Sequence, residues 1–126
     1  LTVEPPRVID NLTVGPLPEG IAFSSDGGYL AVSVMNHSQS PRTSPFFHDY
    51  GYLKIIRVAA KTLSLVAEVQ VGHWGQGVAW SRDNRTLVLQ AAAEQELEVF
   101  AFDGRTLTPT GRIAVKGSPA GIRTAR

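Results

Sequence analysis

The residues best suited to chemistry are a histidine and an acid in two short loops, His73 and Glu19. A histidine side chain titrates at about pH 6.5, so a neutral imidazole can take a proton from a water molecule. A carboxylate such as Glu19 can act as the base itself or orient a histidine that does. We therefore predict Glu19 and His73 as catalytic residues. The alternatives are that Glu19 is a solvated loop acid and that His73 caps a sheet edge.

A second group of residues could bind a substrate, since amide groups can donate hydrogen bonds to a carbonyl oxygen. The predicted substrate-binding residues are Asn36, His37, His48, Trp74 and Gln76. Trp74 has the alternative role of packing between sheets. His37 and His48 stand 11 residues apart, which is no recognised metal spacing, so we predict neither a metal site nor a cofactor.

Composition restricts the class of protein. The chain has 126 residues, 43% hydrophobic and 18% charged, as expected of one folded domain. A net charge of +1 gives no reason to predict a nucleic-acid partner. The lack of cysteine excludes disulfides and cysteine nucleophiles. No apolar run approaches the roughly 20 residues that span a bilayer. We expect a soluble protein without a membrane partner, and cytoplasm and periplasm stay open as locations.

An internal repeat organises the chain and positions these residues. The stretch PEGIAFSSDGGYLAV, starting at residue 18, matches GQGVAWSRDNRTLVL, starting at residue 75, and a third copy starts at residue 119. Gly77 and Gly121 are 44 residues apart, whereas Gly20 and Gly77 are 57 residues apart. The first unit therefore carries about 13 extra residues, which fall within the segment 36–51.

Each unit divides into four short segments with the pattern of β-strands, designated A to D. In the first unit they are Gly20–Ser24, Tyr29–Val34, Tyr52–Val58 and Leu63–Val71. In the second unit they are Val78–Ser81, Thr86–Gln90, Leu97–Phe102 and Leu107–Val115. Glu98, between two apolar neighbours, predicts a half-exposed strand. Residues 7–14 are expected to be strand D of a preceding unit, and residues 121–126 strand A of a following one.

A four-stranded unit that repeats every ~40–45 residues indicates blades of a β-propeller. The competing fold is a β-sandwich, which has no reason to repeat its sequence. We predict an all-β fold with two blades, residues 20–71 with the insertion 36–51 and residues 77–115, plus flanking strands. Because a propeller needs about 4 to 8 blades, we expect residues 1–126 to be a fragment of one propeller domain. The remaining blades would belong to the same parent chain, with a ring of several chains as the alternative.

The order of strands assigns each loop to a face. Successive strands of a blade are antiparallel, so the D-to-A and B-to-C loops share one face and the remaining turns share the other. All three histidines then lie on one face, with the long loop 36–51 as a rim or lid over the channel. Its Arg42, His48 and Asp49, together with Phe46, Phe47, Tyr50 and the adjoining Tyr52, favour a role in recognition.

The segments GIAFSSDGGYLAVS and GVAWSRDNRTLVLQ resemble the motif G-x-A-x-S-P-D-G-x-x-L-Y-V of YVTN-type repeats. Such repeats build the lactonase-like propellers, which include phosphogluconolactonases and fungal-type carboxymuconate lactonizing enzymes. The sequence departs from the motif at Ser25 and Arg82, where proline is usual.

The resemblance implies lactone hydrolysis or lactonization of a sugar lactone or muconolactone-type substrate, a small-molecule ligand bound in the propeller channel. Glu19 and His73 would activate water there, and the isolated fragment is expected to be inactive. The alternative is a non-catalytic propeller that serves as a binding or protein-interaction module, because YVTN-type repeats occur in both settings.

Overall fold

The computed structural model describes residues 5–124, which form two four-stranded antiparallel sheets. The first sheet contains β1 (Pro18–Phe23), β2 (Tyr29–Val34), β3 (Gly51–Ala59) and β4 (Thr62–Val71). The second contains β5 (Gly75–Trp80), β6 (Thr86–Ala91), β7 (Glu96–Phe102) and β8 (Leu107–Ala114). Strands follow chain order in each sheet, so each repeat unit forms one sheet. The prediction of an all-β fragment with two blades is confirmed. No helix within residues 5–124 is long and apolar enough to cross a membrane.

The two sheets pack against each other through apolar side chains at alternate strand positions. Leu53 and Ile55 of β3 are fully buried in one cluster with Leu89 and Phe100 of the second sheet. Successive side chains of a strand point to opposite faces, so Lys54 lies on the other side of β3. Each large apolar side chain buried in this way contributes about 1.5–3 kcal/mol. The main core therefore lies between the sheets, as between neighbouring blades.

Polar contacts to strand β5 fix how the two sheets sit against each other. The hydroxyl of Ser33 donates to the carbonyl oxygen of Gly75 at 2.6 Å, and this bond is buried. The indole N–H of Trp80 donates to the carbonyl oxygen of Ala22 at 3.0 Å. The ring of Trp80 also meets that of Phe102 edge-on, with centroids 5.7 Å apart. Directional bonds at both ends of β5 restrict sliding of one sheet over the other.

Strands β1 and β5 begin earlier than predicted. The pairing register shifts between Pro18 and Ile21 in the first sheet and between Gly75 and Val78 in the second. Such an irregularity is a β-bulge, and regular alternation of side chains starts only after it. Regular pairing resumes at Ile21 and Val78, and the predicted strands began beside or at these residues, at Gly20 and Val78.

The segment before β1 packs on the outward face of the first sheet. Leu12 and Val14 contact the buried cluster of Val32, Val34 and Ile56. Residues 7–14 form no strand, and neither do residues 121–124. A strand needs a hydrogen-bonded partner strand, and neither segment pairs with a strand of the two sheets within the described residues. The predicted strands are thus not observed there, residues 125–126 lie outside the described residues, and assignment of both segments to neighbouring blades stays a prediction.

The burial of Glu98 was predicted wrongly. A half-exposed strand was expected, yet Glu98 is only 4% exposed and shares its face of β7 with buried Phe100 and Phe102. Leu97 and Val99, on the opposite face, are half-buried. The period of two was correct. The Glu98 carboxylate, however, faces the junction between the sheets, where it accepts a hydrogen bond from the backbone N–H of Gly72.

Candidate functional site

Three loops meet around His73 at one face of the two sheets. His73 follows β4, Asp49 belongs to the insertion (residues 36–51), and Glu94 lies between β6 and β7. Nε2 of His73 is 2.8 Å from Oδ1 of Asp49, and Nδ1 is 2.5 Å from Oε1 of Glu94. These contacts confirm, for these three loops, that the D-to-A and B-to-C loops share one face.

Two carboxylates from the second sheet hold the loop between β4 and β5. Glu98 accepts a hydrogen bond from the backbone N–H of Gly72 at 3.0 Å, and Glu94 accepts from the backbone N–H of His73 at 3.0 Å. A Cβ atom on Gly72 would lie 2.8 Å from Oε2 of Glu94 and 3.0 Å from Oε1 of Glu98. Gly72 therefore lets both acids approach the backbone closely.

Residues of the insertion contact His73 and Asp49 from the side away from the sheets. The guanidinium of Arg42 lies 3.2 Å from Asp49 and 5.3 Å from the centre of the Phe47 ring. The Phe47 ring stacks on the His73 imidazole, with centroids 6.0 Å apart and planes inclined by 11°. The name "His73 cluster" here denotes His73, Asp49, Glu94, Arg42 and Phe47. It joins the insertion to two loops that follow β4 and β6.

The charges of the cluster stabilise a protonated imidazole. The hydrogen bond with Glu94, helped by that with Asp49, raises the pKa of His73 although burial works against it. The pKa of Asp49 is lowered, chiefly by its hydrogen bond with His73 and more weakly by the charge of Arg42. Burial works to raise the pKa of Glu94, but hydrogen bonds from His73 outweigh it and hold that pKa below its usual value. His73 can then donate from both ring nitrogens.

Glu98 is the second titratable group with a perturbed environment. Burial raises its pKa, against the opposing influence of the Gly72 N–H and of Arg112. Arg112 stands opposite Glu98 in the register of β7 and β8, with its guanidinium 3.7 Å from the carboxylate. The same guanidinium lies 3.2 Å from Glu96. These contacts therefore offset only part of the cost of removing the Glu98 carboxylate from water.

The geometry does not bring the two predicted catalytic residues into contact. Within residues 5–124, Glu19 makes neither a hydrogen bond nor an ion pair with His73. An imidazolium that donates from both nitrogens has no free lone pair, so it is poorly arranged to act as a base. No group of three or more acids and histidines within the described part of the chain could hold a metal ion. The cluster is built as an electrostatic junction between loops.

Glu19 and Gln76 are instead brought together with each other. Both line a groove of about 170 Å³ at the inner edge of the sheets, formed by β1, β5 and residues 120–122. Glu19 is exposed and Gln76 is half-buried. A carboxylate acceptor and an amide donor therefore face a shared space at this edge.

Asn36 and His48 do not share that groove. Asn36 is 6% exposed, and its side-chain amide donates to the carbonyl oxygen of Tyr50 at 3.2 Å. Asn36 also has a positive φ of 54°, which asparagine tolerates better than most residues. It thus closes the base of the insertion. His48 is exposed, and its ring lies beside that of Tyr50, with centroids 6.2 Å apart.

Trp74 and Phe46 expose large aromatic surfaces beside the cluster. Phe46 is 65% exposed and packs on the ring of half-buried His37, with centroids 5.9 Å apart. Trp74 is 44% exposed, and its backbone N–H donates to the hydroxyl of Ser38, the neighbour of His37. The name "rim patch" here denotes Phe46, His37 and Trp74. Trp74 therefore faces solvent rather than packing between the sheets.

Sequence reasoning missed the acids that hold His73. One signal was present, because Glu96 and Glu98 alternate along strand C and Glu94 comes just before them, so acids cluster at the start of this strand. For Asp49 no signal existed, since its contact with His73 spans 24 residues of chain and depends on how the insertion folds.

A second, larger cavity of about 470 Å³ lies away from the His73 cluster. Its lining includes Tyr29, Asn84, Phe102, Asp103 and Thr106. These residues come from the A-to-B and C-to-D turns and the adjoining strand ends, on the opposite face. None of the predicted site residues lines this cavity.

Comparison with known proteins supports the fold alone. No protein-family model matches the chain, and no curated protein sequence matches it. Among solved structures, the hydrazine synthase of Kuenenia stuttgartiensis is similar, with a TM-score of 0.60 and 12% sequence identity. The match covers 84% of this chain and 38% of that one, so this chain spans well under two thirds of that structure. The likeness does not confirm a lactonase-like family.

Proposed function

We propose that this chain is part of a β-propeller that acts as a protein-interaction module, with the rim patch as its contact surface. The observation that carries the proposal is an exposed aromatic surface on an anchored loop. Phe46 is 65% and Trp74 44% exposed, while the His73 cluster ties the insertion to the sheets. A loop held in one conformation loses less entropy when it binds, and large aromatic side chains carry much of the energy at protein interfaces.

The exposure of the aromatic side chains in the rim patch supports a protein rather than a small molecule as the partner. Neither the 470 Å³ cavity nor the 170 Å³ groove is lined by Phe46 or Trp74. Small-molecule sites are concave and enclose most of the ligand, whereas protein interfaces combine an apolar centre with a polar edge. Arg42, whose side chain is 74% exposed, supplies such a polar group in the same loop.

Site-specific photo-crosslinking tests this proposal. A photoreactive phenylalanine analogue replaces Phe46 in one variant and exposed Lys61, in the turn on the opposite face, in a matched control. Irradiation in cells of the source organism should give a discrete protein adduct at position 46 and none at position 61. A Trp74→Ser substitution should weaken that adduct. Equal adducts at both positions, or none at position 46, would refute the proposal.

A second candidate function is lactone hydrolysis or lactonization, with a small-molecule ligand in the propeller channel. The observation that favours it is the 170 Å³ groove, where Glu19 and Gln76 stand side by side. Glu19 could activate a water molecule, and the Gln76 amide could donate to the oxyanion that forms when the ring opens. In this version His73 takes no direct part, because both of its nitrogens are engaged with carboxylates.

The test is a pH-stat assay of the parent protein with glucono-δ-lactone and with muconolactone. Glu19→Gln should abolish turnover, whereas Glu68→Gln, the same change on outer strand β4, should not. Absence of turnover by the wild-type protein, or equal turnover by both variants, would remove this candidate.

A further inference from the structure

We propose that the His73 cluster is a pH-dependent latch, which holds residues 42–49 of the insertion against the sheets while His73 is protonated and releases them when His73 loses that proton. The latch would regulate the rim patch, and its biological use in this sense rests on the protein-interaction proposal. Its mechanics involve residues of this chain alone.

The bonding of His73 requires two protons on one ring. Nδ1 faces Oε1 of Glu94 at 2.5 Å, and Nε2 faces Oδ1 of Asp49 at 2.8 Å. Carboxylates only accept, so both ring nitrogens must donate for both hydrogen bonds to exist. A neutral imidazole has a single N–H, and its other nitrogen then presents a lone pair to a carboxylate. Loss of one proton therefore costs one of the two bonds.

The bond to Asp49 is the one that breaks. Glu94 has a side chain 26% exposed and also accepts the backbone N–H of His73, so it is held beside the ring. Asp49 has a side chain 65% exposed and can turn to water or to Arg42. The remaining proton stays on Nδ1, towards Glu94. Deprotonation thus frees residues 42–49 of the insertion, while its start stays bonded to the loop of His73, because the Ser38 hydroxyl still accepts the backbone N–H of Trp74 at 2.9 Å.

The other charged groups near His73 do not replace the lost link. Arg42 pairs with Asp49, and both belong to the insertion, so this ion pair does not connect the insertion to the sheets. Glu98, Glu96 and Arg112 lie on the side of β7 and β8, where Glu98 binds the backbone of the residue before His73. His48, in the insertion, makes no ion pair with an acid in the described part of the chain.

The pH range in which the latch is closed follows from the directions of two pKa shifts. The pKa of His73 is raised, first by its hydrogen bond with Glu94, and that of Asp49 is lowered, first by its hydrogen bond with His73. The latch is therefore closed between two pH limits. The lower limit lies below the usual pKa of Asp, about 3.9, and the upper limit lies above the usual pKa of His, about 6.5. It is lost as pH rises through the raised pKa of His73.

Release would separate Phe46 from the rest of the rim patch. Phe46 lies in residues 42–49, whereas His37 precedes Ser38, whose hydroxyl stays bonded to the backbone N–H of Trp74. A partner that contacts both parts would bind more tightly when the latch is closed. The expected control is therefore stronger binding at mildly acidic pH than at alkaline pH.

Limited proteolysis of the full chain without any partner tests the latch. Trypsin cuts after Arg42 in the insertion and after Lys61 in a turn on the opposite face. The ratio of the two cleavage rates removes the pH dependence of trypsin itself. We expect this ratio to rise roughly two- to fivefold between about pH 5.5 and about pH 9, the size expected for a largely exposed ion pair.

Two variants sharpen the test. His73→Gln should give a high ratio at every pH, while His48→Gln, a matched change within the insertion, should keep the wild-type profile. An NMR titration of the wild-type His73 imidazole provides a second measurement, in which it should titrate above the usual histidine pKa of about 6.5. A flat wild-type ratio, a His73→Gln variant that keeps the pH dependence, or a His73 that titrates at or below about pH 6.5 would overturn the latch. Crosslinking at position 46 is scored separately, so either proposal can fail alone.

Discussion

A Gly20→Ala substitution would test the close approach of the two sheets at their inner strands. A Cβ atom on Gly20 would lie 2.2 Å from the carbonyl oxygen of Gln76 and 3.0 Å from Cα of Gly77, whereas ordinary van der Waals contact starts at 3.4 Å. Both atoms belong to the backbone of β5, so no side-chain rotation can relieve the clash. Strands β1 and β5 would have to separate by ~1 Å beside the groove that Gly20 and Gln76 line.

The expected cost is about 2 kcal/mol of unfolding free energy, within the ~1–3 kcal/mol typical of an overpacked interior. Replacing glycine by alanine restricts the unfolded chain and by itself stabilises by about 0.4–1 kcal/mol. The free-energy cost of the clash has to exceed this stabilisation. We expect that it does, because the backbone of β5 cannot move locally to relieve the clash. Separation would also stretch the hydrogen bond from Trp80 to Ala22, which bridges the same two strands at 3.0 Å.

Urea unfolding followed by tryptophan fluorescence measures this effect, since Trp80 is 4% exposed at the junction. The matched control is Gly121→Ala, at the equivalent position of the third repeat, where an added Cβ meets nothing within 4 Å. Gly121→Ala should unfold within ~0.5 kcal/mol of the wild type. An unchanged midpoint for Gly20→Ala, or equal losses in both variants, would refute the argument.

Two further substitutions probe the interior of the site. Burial raises the pKa of Glu98, so the folded state holds its proton more tightly than the unfolded chain does, and stability falls as pH rises above about 4.3. Glu98→Gln should lose less stability between about pH 4 and about pH 7 in urea unfolding than the wild type, and equal losses would contradict this reasoning. Asn36→Ala loses the bond to Tyr50 and places alanine at a φ of 54°, so we expect a loss of about 1–2 kcal/mol; an unchanged urea midpoint would count against it.

Local structure followed directly from the repeated sequence. The Ser24 hydroxyl donates to Asp26 at 2.6 Å, and in the next repeat Ser81 donates to Asp83 at 2.5 Å. Each acid also accepts a backbone N–H two residues further on. Partners this close in sequence form the same turn wherever the segment occurs, so four-stranded units could be predicted from sequence.

The candidate site was predictable only in part. Strand order placed the loops of His73 and of the insertion on one face, because antiparallel pairing depends on sequence order alone. The partners of His73 were not predictable, since Asp49 and Glu94 are 24 and 21 residues away along the chain. The direction in which Glu98 points was also missed, because alternation does not say which face of a strand is buried.

Equivalent glycines show most clearly what sequence alone determined here and what tertiary structure decided. Gly20, Gly77 and Gly121 occupy one position of the repeat, and the repeat predicted a β-strand after each. Gly20 and Gly77 lie in strands, whereas residues 121–124 form none. Packing distinguishes the three as well, since a Cβ on Gly20 would strike the backbone of β5, one on Gly77 would meet Gln90 at 2.4 Å, and one on Gly121 would meet open space. The sequence determined the strands through local geometry and hydrogen bonding. Tertiary structure decided burial, charge pairing and close approach, because these depend on which distant atoms come to lie beside each residue.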